Sequence, residues 1–127
     1  MKNIPDNEGT DLVLVVEDEA LIRIATVDCL QKAGFKVIEA ASAFEALLML
    51  HAREDVKAVL IAIEMPGMDG LPLVVTIHET WPSIALLVTF GRAASDPSAL
   101  PEGAIFIARP CESDQIVDGV ARLIGPS

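Results

Sequence analysis

The feature that most restricts the fold is a set of five short strand-like runs, each followed by turn residues and a stretch with helical spacing. The runs are Leu12–Val16, Phe35–Glu39, Ala58–Ile63, Ile84–Thr89 and Ala104–Ala108. Most are unbroken aliphatic sequence. A run this short with no polar alternation suits a strand buried on both faces. The intervals read as helices. Residues 20–33 space Leu21, Ile24, Ala25, Leu30 and Ala33 along one face, and Gly34 terminates them. Ser42 and Glu45 form a Ser-x-x-Glu capping box ahead of Ala46–Leu50, in a helix that ends near Arg53-Glu54-Asp55. Leu71–Thr80 carries Pro72 in its first turn and is closed by Trp81-Pro82. Ser113 caps a last helix with Ile116, Val117, Val120, Ala121 and Ile124 inward, which Gly119 weakens. Between them, Ala93–Gly103 carries Pro97, Pro101 and Gly103, so a fourth helix is short or broken. Strand and helix alternating five times predict an α/β domain: a doubly wound five-stranded parallel sheet with helices on both faces.

Composition narrows the class. The 127 residues fit one domain, and 52% are apolar. A mean hydropathy of +0.49 raises the question of a membrane span. Every apolar run is far shorter than the roughly 20 residues a span needs. Residues 1–10 are polar, with Pro5 and Gly9, and read as a flexible leader without the features of a secretory signal. Residues 11–127 read as a single domain, and the whole as cytoplasmic, with no membrane partner. The formal net charge is −10 and the nine basic residues are scattered, which argues against a nucleic-acid partner. Cys29 and Cys111 lack metal-ligand spacing and read as buried reduced thiols. His51 and His78 fall on different helices and read as surface or boundary residues.

In an open parallel sheet, ligands bind outside the carboxyl ends of the strands. Those ends carry Glu17 and Asp18, then Ala62, Ile63 and Glu64, then Thr89, then Arg109. Clustered carboxylates repel one another. A preference of acids for helix N-termini accounts for Asp18 or Glu19, but not for Glu17, which directly follows the apolar run. Acids for a cation, a hydroxyl and a distal cation suit phosphoryl chemistry with magnesium. The centre of the set is chemically blank, because Ala62 has no functional group.

The segments Leu12–Glu19, Met65-Pro66-Gly67-Met68-Asp69-Gly70, Leu86–Thr89 and Phe106–Pro110 together resemble the receiver domains of bacterial two-component response regulators, the chemotaxis-type fold. The resemblance runs from Leu12 over essentially the whole chain. It implies the flavodoxin-like strand order 2-1-3-4-5. It also implies that an aspartate four residues before the turn proline takes a phosphoryl group from a kinase histidine. Counting back from Pro66 gives Ala62, so the phospho-acceptor is absent. The family's magnesium-holding acid pair falls on Glu17 and Asp18, and Glu64 falls where a backbone carbonyl meets the metal. The switch hydroxyl falls on Thr89, the aromatic switch position on Phe106, and the phosphate-contacting lysine on Arg109. Each position also has a purely structural reading: Thr89 as a strand-end hydroxyl, Phe106 as core, Glu64 as a solvated turn acid, Asp69-Gly70 as turn chemistry.

These departures have consequences. No acyl phosphate can form at residue 62. One anionic ligand fewer weakens magnesium binding, so no cofactor is required. Losing a carboxylate from the cluster relieves repulsion of about 1–2 kcal/mol. The planar guanidinium of Arg109 could bridge Glu17 or Asp18 and fill the emptied pocket. The leading expectation is a degenerate receiver in phosphorelay signalling: a stand-alone protein-interaction module, not an enzyme, without an output domain. Its partner would be a sensor histidine kinase or another signalling protein, meeting the first helix near Leu21–Leu30 or the face formed by residues 92–124. An alternative is an ordinary phosphorylatable receiver with an engineered Asp-to-Ala change at residue 62. A third reading is a cofactor binder or small phosphatase on the same fold; Glu17-Asp18-Glu19 repels the phosphate of a flavin, and Asp18-Glu19-Ala20 lacks the second acid that an aspartyl phosphatase needs two residues after its nucleophile.

Overall fold

The run Leu12–Val16 forms β1, whose five side chains are all buried. It is flanked on both sides by parallel strands, which is why it tolerates no polar residue. The computed structural model describes residues 12–62, 64–65, 68–90, 103–108 and 113–124. Along the chain the elements are β1 (Leu12–Val16), α1 (Ala20–Lys32), β2 (Lys36–Ala40), α2 (Ala43–Ala52), β3 (Val56–Ala62), β4 (Glu64–Met65), β5 (Met68–Asp69), α3 (Gly70–Thr80), β6 (Ala85–Phe90), β7 (Ile105–Ala108) and α4 (Ser113–Ile124). Five strands form one parallel sheet in the order β2-β1-β3-β6-β7. This is the expected doubly wound order, with β4 and β5 as a separate antiparallel pair. The 1–10 leader, residues 93–102 of the stretch expected to hold a short or broken fourth helix, and Cys111 lie outside the described residues.

Each sheet face carries its own core. One cluster gathers Leu14, Val16, Val59, Ile61 and Val88 beneath α2 and α3, including Leu50, Val74 and Ile77. The other gathers Val13, Val15, Leu60 and Leu87 beneath α1 and α4, including Leu30, Ile116 and Val120. In β3 the alternation is reset once. The pairing register shifts between Leu12 and Val13, so exposed Lys57 is an extra residue. Val56 and Ala58 therefore serve opposite cores despite their even spacing.

Helix α2 keeps the first half of its expected capping box, while the Glu45 carboxylate reaches one residue further back than the box requires. The Ser42 hydroxyl accepts from the Glu45 N–H at 3.1 Å, and Glu45 Oε1 accepts from the Ala41 N–H at 2.7 Å. Its outer face leaves Phe44 71% and Leu48 54% exposed.

Helix α1 is rotated from its expected setting. Leu21, Ile24 and Ala25, expected inward, are exposed, and so is Ala33. Thr26 and Leu30 are the buried residues. The helix can bury Thr26 because its hydroxyl donates to the Ile22 carbonyl at 2.9 Å, satisfying the polar group locally. In α4, Ile116 and Val120 are buried as expected, but Ala121 faces outward. Gly119, read as a weakness, has a packing reason. A Cβ there would stand 3.1 Å from Leu87 Cδ1, so alanine fits only if Leu87 gives way by a few tenths of an ångström. Cys29 is half-buried rather than buried and is in no disulfide. His51 is exposed, with its ring edge-on to Trp81 at 4.9 Å, and His78 is half-buried.

Candidate functional site: an acidic pocket at the strand ends

Strand register sets the site. Val16 pairs with Ile61, Ala62 pairs with Thr89, and Thr89 pairs with Ile107. Glu17 follows Val16 directly, so Glu17, Ala62 and Thr89 lie in one row across β1, β3 and β6. The row is dry: Glu17 is 4% exposed, Ala62 1% and Thr89 3%. Ala62 belongs to the apolar cluster beneath α2 and α3, so the centre of the row is continuous with the core. Phe106 pairs with Val88, one row below. Glu64 stands beyond β3 and pairs with Asp69, as Met65 pairs with Met68, in the antiparallel β4–β5 pair. Arg109 lies outside the described residues, and so do the side chains of Phe106 and Glu64.

The acids are held by backbone and by one arginine. The Glu17 N–H donates to the Ala40 carbonyl at 3.1 Å, extending the β1–β2 ladder by one residue. Glu17 Oε2 accepts from the Glu19 N–H at 3.2 Å, which curls the chain into α1. Asp18 is half-buried, and its buried Oδ1 has no hydrogen-bond partner among the described residues. Arg23 reaches back from α1, its Nη1 donating to the Glu17 carbonyl at 2.9 Å and its Nε to Glu39 Oε1 at 2.9 Å. Sequence reasoning looked to Arg109 and passed over Arg23. The available signal was a lone cation inside an apolar stretch, Ala20-Leu21-Ile22-Arg23-Ile24-Ala25.

An unsatisfied carboxylate oxygen beside a buried carboxylate suits a hard cation. Magnesium uses one or two carboxylates and keeps several waters. Glu17 and Asp18 fit that need. No group of three or more His, Cys, Asp or Glu that could hold a metal occurs among the described residues. Among the described residues, Glu17 and Asp18 are the candidate donors at the end of β1, and Ala62 stands beside them on β3.

This fold and site define an α/β module of the flavodoxin-like class, with its polar residues at the switch point between β1 and β3. More specifically, the chain belongs to the response regulator receiver domain family, which it matches over residues 13–121. It is 35% identical over 113 residues to the response regulator protein FleR of Pseudomonas aeruginosa, covering 87% of this chain and 24% of that protein. It is 36% identical over 124 residues to the sensor kinase CckA of Brucella abortus, covering 94% of this chain and 13% of that protein. The chain thus spans a quarter or less of these relatives. The receiver domain of NtrX from Brucella abortus superposes with a TM-score of 0.81 at 28% identity, covering 91% of this chain and 99% of that one. Receiver domains are signalling modules of two-component systems that interact with sensor kinases and other signalling proteins, and they bind magnesium at the phosphorylation site. No helix among the described residues is long and apolar enough to cross a membrane.

Proposed function

We propose that this receiver acts as a protein-interaction module whose output does not depend on phosphorylation at residue 62. One observation carries the reading: Ala62 occupies the dry centre of the row between Glu17 and Thr89, where the family's acceptor carboxylate would stand. A methyl group offers no nucleophile. In the sequence, Arg109 stands where the family has lysine, so the positions the family uses to sense a phosphoryl group, Thr89, Phe106 and Arg109, have none at residue 62 to sense. Magnesium, if bound by Glu17 and Asp18 with the Glu64 carbonyl, is held more weakly than in a receiver with three acids and is not required. The partner is a sensor kinase or another signalling protein. It meets the outer face of α1, where Leu21 is 78% and Ile24 57% exposed. Contiguous exposed apolar residues mark interaction surfaces. Incubation with acetyl phosphate and magnesium tests the reading by intact-mass spectrometry. The mass stays unchanged if the reading holds. A stable gain of one phosphoryl group refutes it.

A further inference from the structure

We infer that Arg23 is a positioning residue that aims the Glu17–Asp18 pair at a cation. The inference rests on the reading of those two acids as cation ligands. Three elements meet at this side chain: its own helix α1, the end of β1 through the Glu17 carbonyl, and β2 through Glu39. Only 18% of the side chain is exposed, so the fork is packed as well as bonded.

The backbone consequence is specific. The Glu17 N–H is already held by the Ala40 carbonyl. Arg23 holds the Glu17 carbonyl, which belongs to the peptide plane leading into Asp18. Because that unit is planar, fixing its oxygen also fixes the N–H of Asp18. The peptide planes on both sides of the Glu17 Cα are therefore held. With them is held the direction in which the Glu17 side chain leaves the chain, and one of the two planes that set that of Asp18. The hydrogen bond from the Glu19 N–H to Glu17 Oε2 completes the turn. Asp18 Oδ1, without a partner among the described residues, is the atom this scaffold presents.

Two donors in a fixed planar fork are needed, since Nε and Nη1 address different acceptors on different strands. Lysine carries the same charge but is a point donor on a flexible stem. Arg23→Lys therefore separates geometry from electrostatics. A guanidinium acting only through its charge would be replaced without loss.

The test uses the full chain carrying Ala62→Asp, with and without Arg23→Lys, and reads Mn²⁺ affinity by water-proton relaxation, with melting temperature in parallel. The expected result is Mn²⁺ binding by the Ala62→Asp chain that weakens roughly 10-fold when Arg23→Lys is added, the effect typical of losing an outer-shell partner. Glu39→Gln in the same background leaves the Glu17 contact in place and weakens binding less. It also serves as the test variant if Arg23→Lys fails to fold. Equal affinities with and without Arg23→Lys, even with a lowered melting temperature, overturn the inference and leave a merely structural arginine. Absence of Mn²⁺ binding by Ala62→Asp alone overturns the cation reading of the acids, and the inference with it.

Discussion

Placing a carboxylate at residue 62 is expected to destabilise this protein in the absence of a divalent cation. Ala62 is 1% exposed and sits in the row between Glu17 and Thr89. Adjacent strands lie about 4.8 Å apart, so an aspartate there would place its charge roughly 5 Å from that of Glu17. At an effective dielectric constant of about 20, the repulsion of two unit charges at that distance is about 3 kcal/mol, above the range of about 1–2 kcal/mol expected from sequence because both residues are buried. For a domain of this size, that corresponds to a fall in melting temperature of about 10 °C. Magnesium should restore most of the loss, because a cation between the carboxylates turns repulsion into shared attraction. Acidification should also narrow the gap. The clustered carboxylate is harder to ionise in the folded chain than in the unfolded one, so its penalty is present at neutral pH and fades as protonation discharges it. The assay is thermal unfolding of Ala62 and Ala62→Asp chains, with and without magnesium, at neutral and mildly acidic pH. Equal melting temperatures for the two chains at neutral pH, unmoved by magnesium, would refute the reasoning and place another cation in the pocket.

Three further outcomes are expected. Gly119→Ala gains up to about 1 kcal/mol of helix propensity, but its Cβ meets Leu87 Cδ1 at 3.1 Å, and Leu87 is fully buried. Overpacking prevails and the chain loses on the order of 1 kcal/mol by urea titration, a loss that reverses in a Leu87→Ala background. Ser42→Ala removes the acceptor for the Glu45 N–H and lowers stability by about 1 kcal/mol in the same assay. The Arg53 guanidinium, hydrogen-bonded to Asp55, holds that carboxyl below its ordinary range. The small contribution of the pair is therefore present above the ordinary aspartate range and lost as pH falls through the lowered value. Arg53→Gln should move the Asp55 titration upward by NMR.

The sheet was legible because its strands are buried on both faces, and such strands leave continuous aliphatic runs. Leu12–Val16 coincided with the sequence expectation, and the other strand boundaries moved by one or two residues. The face of α1 was not legible. Apolar side chains stand on both its sides, and the one that turned inward includes Thr26, whose polarity is hidden by the Ile22 carbonyl. Gly119 was misjudged because helix propensity describes an isolated helix, while its environment is set by Leu87, 32 positions earlier in the chain. At the site, Glu17, Ala62 and Thr89 could be placed from strand ends and the turn proline. Arg23 could not, because its role depends on a hydrogen bond to a backbone carbonyl, which leaves no mark in side-chain spacing.

The apolar residues left outside on α1 and α2 have a consequence for the protein in solution. Leu21 and Ile24 on one helix, and Phe44 and Leu48 on the other, would adhere to any similar surface they met. Opposing that contact is a net charge of −10, a long-range repulsion that salt shortens to about 10 Å at 0.1 M. The chain should stay dispersed at neutral pH and low ionic strength, and it should associate through these helices as the solution is salted or brought towards its isoelectric point near 4.4.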